Sequence, residues 1–222
     1  MLKKNNKTKN WPITVITINY NDCEGLKKTF ESVFDQSYEN FEYIVIDGGS
    51  TDGSKELIEL NNDRINYWVS ETDDGIYNAM NKGITMANGE YCIFMNSGDC
   101  FFNKEILEVF SLNMSKNDFV YGNMIAEDNE GKRKEYLYPN ELNLEFFSTG
   151  FLAHQAIFTK TDILKEFRGY RQDLKILSDW DFYAKGVLLR NLSYQHIDKF
   201  VTVFNREGIS GHKAFLEKKK KN

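Results

Sequence analysis

With 222 residues and a net charge of −5, the chain is long enough for one α/β domain with a sizeable core. It lacks the basic footprint of a nucleic-acid binder, so nucleic acid is not an expected partner. Cys23, Cys92 and Cys100 fit neither a disulfide framework nor zinc spacing, which points to inert thiols in a reducing compartment. No apolar stretch approaches the ~20 residues of a membrane span, so the expected location is cytoplasmic.

The β-branched run Ile13 to Ile18 predicts a first strand. Leu26, Phe30, Val33 and Phe34 then recur at helical spacing and complete a βα unit. Phe41 to Ile46 predicts a second strand, Ser54 to Leu60 a short capped helix, and Ile65 to Val69 a third strand. Ile76, Met80, Gly83, Ile84 and Ala87 form a helical stripe that Gly89 stops, and Tyr91 to Met95 is an apolar run suited to a strand covered on both faces. Strands alternating with helices imply a parallel sheet with right-handed crossovers. Beyond Asp99 the pattern loosens into a helix near Lys104 to Leu112, a strand from Phe119 to Tyr121 and a polar hairpin around Asp128-Asn129-Glu130-Gly131. A strand over Ala153 to Thr159, a helix over Trp180 to Leu189 and one or two closing strands between Ser193 and Phe204 complete the reading.

Two of these strands end in small polar and acidic residues. The second runs into Asp47-Gly48-Gly49-Ser50-Thr51-Asp52-Gly53, and the Tyr91 strand runs into Asn96-Ser97-Gly98-Asp99. Each cluster alone reads as a turn; paired at the carboxyl ends of one sheet, they read as a site facing one ligand. Acids there suit a hard cation that takes its remaining ligands from water and substrate phosphates. Asp99 is the metal-ligand candidate because it is the only carboxylate of its cluster, with Asn96 as a hydrogen-bonding neighbour; capping of the next helix is the structural alternative. Neither G-x-G-x-x-G after the first strand nor G-x-x-x-x-G-K-[ST] occurs, which removes the main support for dinucleotide oxidoreductases and P-loop kinases. Asn19-Tyr20-Asn21-Asp22 follows the first strand instead, with an aromatic ring able to stack on a base.

Taken in order, Thr17-Ile18-Asn19-Tyr20-Asn21, the Asp47 to Gly53 cluster, Asp74-Gly75-Ile76-Tyr77-Asn78-Ala79-Met80-Asn81-Lys82-Gly83, Ala87-Asn88-Gly89-Glu90-Tyr91 and Asn96 to Asp99 resemble the family 2 glycosyltransferases of the GT-A fold. The resemblance implies an α/β fold, a single Rossmann-like domain over 1–222 with a mostly parallel central sheet flanked by helices. Within it, 1–10 is a polar tail, 11–100 a nucleotide-sugar-binding half, 101–210 an acceptor-binding half and 211–222 a basic tail. It implies an inverting transferase that moves a sugar from a nucleotide diphosphate, UDP by family frequency, to a glycan or lipid-linked acceptor, with divalent Mn2+ or Mg2+ as cofactor. Residue by residue, it implies that Tyr20 and Asp47 hold the base, that Asp74 and Asn81 position the donor, and that Asn96 to Asp99 hold ribose and metal. These motifs are similar to those of the branch that builds bacterial exopolysaccharide, capsule and lipopolysaccharide. Gly48 and Gly98 depart from the pattern, standing where members often carry an acid; Asp52 and Asp99 are the available substitutes.

Ser178-Asp179-Trp180-Asp181 opens an amphipathic helix. Attack of a hydroxyl on an anomeric carbon needs a base, and the resemblance implies Asp179, with Ser178 replacing the usual Glu. Helix capping is the competing reading. His154-Gln155 matches a pair of the same branch and makes His154 an acceptor-cleft candidate, joined by Trp180 and Asp181; a structural histidine and a core aromatic are the competing readings of His154 and Trp180. His212, behind the glycine-flanked segment 208–211, is a second metal candidate on a lid-like stretch. The lysine run 218–221 reads as a solvated end or as peripheral contact with the inner face of an anionic membrane. Two rivals remain: a sugar nucleotidyltransferase, whose Gly-rich basic loop Asn19 to Lys28 does not offer, and a catalytically weak donor-binding assembly partner, suggested by Gly48 and Gly98.

Overall fold

In the computed structural model residues 11–205, Ser115 excepted, are described. The expectations for His212, for segment 208–211 and for both terminal tails lie outside the described residues.

The first half is built as its periodicity predicts: β1 (Ile13–Asn19), α1 (Cys23–Phe34), β2 (Phe41–Asp47), α2 (Ser54–Leu60), β3 (Tyr67–Ser70), α3 (Ile76–Met86) and β4 (Tyr91–Phe94). Parallel pairing of β1 with β2 and β4, and of β2 with β3, orders these strands β3-β2-β1-β4. Every residue of the central β1 is buried, as expected for a strand covered on both faces. Its two threonines hydrogen-bond inside the core, Thr14 to Glu42 at 2.7 Å and Thr17 to the Tyr43 hydroxyl at 2.9 Å, which offsets the cost of burying them. Gly89 serves a different need from the helix stop expected of it. The helix has already ended when the chain reaches Gly89, and a Cβ there would stand 2.6 Å from the Thr14 backbone nitrogen.

The second half contains β5 (Cys100–Phe101), α4 (Ile106–Ser111), β6 (Phe119–Glu127), β7 (Arg133–Tyr136), α5 (Leu144–Thr149), β8 (Ile157–Lys160), α6 (Thr161–Glu166), α7 (Ser178–Arg190) and β9 (Tyr194–Asn205). The whole order is β3-β2-β1-β4-β8-β6-β9-β5, with β7 hairpinned onto β6. Parallel winding stops at β4: β8 inserts antiparallel between β4 and β6, while β9 runs parallel to β6 and antiparallel to β5. The strand expected over 153–159 is a 3-10 turn at His154–Ala156 followed by β8, and the closing strands are the single β9. One core joins the halves, with Tyr43, Phe94, Tyr121, Phe158 and Tyr183 fully enclosed; each such side chain contributes roughly 1.5–3 kcal/mol by leaving water. Because β8 runs against β4, the residues just before β8 arrive beside the carboxyl end of β4. Among the described residues no helix is long and apolar enough to cross a membrane.

Candidate active site

The register sets Asn19, Asp47 and Ser70 side by side at the carboxyl ends of β1, β2 and β3. Asp47 is fully buried, and its carboxylate accepts from Asn19 Nδ2 at 2.7 Å, Ser50 N–H at 3.0 Å, Ser50 Oγ at 2.5 Å and Ser70 Oγ at 2.6 Å. Burial pushes its pKa up, but the hydrogen bonds from Ser50, Ser70 and Asn19 outweigh that and hold it below the ordinary carboxylate value. Asn19 Oδ1 in turn accepts from Ser97 Oγ at 2.7 Å, so one polar chain ties the ends of four strands together. Asp52 binds the starts of two helices, accepting from Cys23 N–H at 2.8 Å and from the Ser54 hydroxyl at 2.6 Å. Tyr20 stands over this end with 65% of its surface exposed, and Asp74 is exposed. Asn81 uses both ends of its amide on the Tyr170 backbone, at 2.7 and 2.8 Å, and so ties α3 to the segment that leads into α7.

A second polar chain starts one residue before Ser97. Asn96 Nδ2 lies 3.0 Å from His154 Nε2, and His154 Nδ1 lies 2.8 Å from Asp179 Oδ2. A carboxylate only accepts, so Nδ1 carries the hydrogen. Phe94 packs edge-on against the imidazole with ring centroids 6.2 Å apart and fixes its plane. The other Asp179 oxygen accepts from Trp180 N–H at 3.0 Å and from the Tyr77 hydroxyl at 3.2 Å. Tyr77 Oη accepts from Ser178 N–H at 3.0 Å, which turns the tyrosine's own hydrogen toward Asp179. Burial raises the Asp179 pKa, yet the hydrogen bonds from His154, Trp180 N–H and Tyr77 bring it below the ordinary value; the group is a carboxylate at neutral pH.

The N-cap residue of α7, Leu177, makes no side-chain cap bond and enters the helix in the left-handed region at φ 74°, and the buried Ser178 Oγ has no hydrogen-bond partner. A non-glycine residue held there costs on the order of 1–3 kcal/mol, and here it delivers Asp179 to His154. Trp180 donates its indole N–H to Phe147 O at 3.1 Å, and Asp181 pairs with Lys185 at 2.8 Å. The structure thus brings Asn96, His154 and Asp179 together, while Trp180 and Asp181 are engaged elsewhere. Tyr77 is the residue that sequence reasoning passed over. It shares the helical stripe of Met80 and Ile84, and only its place in the Asp74 to Gly83 motif hinted at a polar role.

Asp99 is 2% exposed. Three positions earlier, Asn96 Oδ1 is buried with no hydrogen-bond partner, an oxygen of the kind a hard cation takes. Among the described residues no group of three or more His, Cys, Asp and Glu side chains is arranged to hold a metal ion. The donor set therefore fits only a cation that draws its other ligands from substrate and water.

A parallel half-sheet with polar strand ends, continued by mixed strands and by a helix start that brings a carboxylate up beside those ends, is the architecture of the GT-A glycosyltransferases. The family model described as glycosyl transferase family 2 matches residues 14–175, and the chain belongs to that family. It is 32% identical over 187 residues to an uncharacterized glycosyltransferase of Mycobacterium tuberculosis, covering 80% of this chain and 69% of that one. It is 25% identical over 203 residues to a PGL/p-HBAD biosynthesis glycosyltransferase of Mycobacterium bovis, covering 88% and 77%. Its fold matches Staphylococcus aureus TarS 1-349 in complex with UDP-GlcNAc at a TM-score of 0.73 and 22% identity, over 91% of this chain and 61% of that one. It also matches Pyrobaculum calidifontis PcManGT in complex with GDP-Man and Mn2+ at 0.66 and 15%, over 86% and 56%. The chain thus spans about three fifths of these solved chains.

Proposed function

We propose that the chain transfers one sugar, with inversion, from a UDP-sugar to a hydroxyl of a glycan or lipid-linked acceptor in bacterial surface polysaccharide synthesis. The observation that carries the reading is Asp179, a carboxylate fixed by His154, Tyr77 and Trp180 N–H and linked through His154 to the end of β4. Asp179 takes the proton of the acceptor hydroxyl as the new C1–O bond forms and the C1–O bond to phosphate breaks; the diphosphate leaves with the electron pair. Tyr20 and the end of β2 receive the base. Asn96 and Asp99 would hold a divalent cation together with the donor's phosphates. Such a cation would neutralise charge on the leaving group.

The known relatives support a nucleotide-diphosphate donor, and TarS with UDP-GlcNAc supports UDP. Asp179→Asn keeps the shape and loses the proton acceptor. Calorimetry with UDP and Mn2+ should then give unchanged affinity, while transfer falls by ~10²- to 10⁴-fold. Asp181→Asn should cost much less. Transfer that survives in Asp179→Asn refutes the assignment.

A further inference from the structure

At the end of β2 the side chain that faces outward is not on β2. Asp73, in the segment between β3 and α3, anchors one carboxylate oxygen on Gly75 N–H at 2.9 Å. Its Oδ2 lies over Gly48, where a Cβ would stand 2.7 Å from that oxygen and 3.1 Å from Tyr20 Cδ2. The oxygen and the ring edge therefore converge on the one spot that a side chain at position 48 would fill. The segment carrying Asp73 is held in place: Glu71 N–H donates to Asp47 O at 3.0 Å, Ser70 Oγ to the Asp47 carboxylate at 2.6 Å, and Lys82 bridges from α3 to Glu71 at 2.9 Å. Asp47, by contrast, accepts four hydrogen bonds from its own chain, and Asp52 is committed to Cys23 and Ser54.

We propose that Asp73 reads the donor's nucleobase, accepting a hydrogen bond from an imide N–H, as of uracil, while the base stacks on Tyr20. This rests on the donor site described above and names the group within it that sets base selectivity. A carboxylate accepts and cannot donate. It therefore favours uracil, whose N3 carries a hydrogen, over cytosine, whose N3 is itself an acceptor.

The test is calorimetry of the whole chain with UDP and CDP in the presence of Mn2+, on the parent, Asp73→Asn and Gly48→Ala. The parent should prefer UDP. Asp73→Asn should weaken UDP by about tenfold or more, the loss of a charge-assisted hydrogen bond, and leave CDP equal or improved. Gly48→Ala, which keeps Asp73 but puts a methyl 2.7 Å from its Oδ2 and so forces that carboxylate aside, should erode the same preference. A parent that prefers UDP together with an Asp73→Asn variant of unchanged preference would overturn the proposal and leave the donor site standing. A parent that binds neither nucleotide would overturn the donor-site reading, and this proposal with it.

Discussion

Replacing Asp47 by Asn should damage the fold before it touches recognition. The variant keeps its size and one acceptor oxygen, enough for Asn19 Nδ2 and Ser50 Oγ, and its new NH2 then faces Ser50 N–H and Ser70 Oγ. Ser70 can rotate and accept; the Ser50 backbone cannot. One stranded buried donor costs about 1–3 kcal/mol, and losing charge assistance in the surviving bonds brings the total to about 2–4 kcal/mol. For a chain of 222 residues that corresponds to a fall in Tm of about 5–15 °C. Urea unfolding at neutral and acid pH is the assay. Because the native pKa of Asp47 is held below its ordinary value of 3.8, its contribution is full above that value and is lost as pH falls through the native one. The gap between parent and variant should therefore close in acid. A variant that unfolds within about 0.5 kcal/mol of the parent at pH 7, yet loses UDP affinity, would refute the reasoning and make Asp47 a ligand contact.

Gly89→Ala should destabilise by about 2–3 kcal/mol, because the methyl would meet the Thr14 nitrogen and hydroxyl at 2.6 Å and the Ile13 carbonyl carbon at 2.7 Å, so that strand backbone itself must yield; equal unfolding midpoints would contradict the close approach. Burial pushes the Cys92 thiol up to about 12, so thiol labelling at pH 8 with peptide mapping should leave Cys92 unmodified until urea unfolds the chain.

Legibility differed between the halves for a physical reason. In β1, β2 and β4 burial on both faces produces short, mostly apolar and β-branched runs, and in α1 the buried Leu26, Phe30 and Val33 lie on one stripe, so local patterns carry the structure. The Asp128 to Gly131 turn was readable as well, with Gly131 at φ 77°. In contrast, α5 and α6 span six residues each, too short for a helical period to establish itself. The strand order is set by the antiparallel insertion of β8, which no local pattern encodes. His154 and Asp179 could be singled out one at a time, but their 2.8 Å contact and the support from Tyr77 are products of that insertion. The Asp73 carboxylate over Gly48 was invisible because it depends on where a loop residue lies against a different strand.

The same insertion dictates an order of assembly. Strands β1 to β4 and their crossovers use contiguous chain, so their contacts close early, whereas Tyr91 must wait for Lys160 to pair, a long-range and therefore slower step. Until β8 docks, β4 is an open edge with unpaired amides and carbonyls, the kind of surface that recruits other strands. During synthesis the polar ends of β1 to β4 are thus complete before the chain has supplied Asp179. A fragment ending before Ile157 keeps that edge bare, and its failure would be aggregation rather than simple loss of activity.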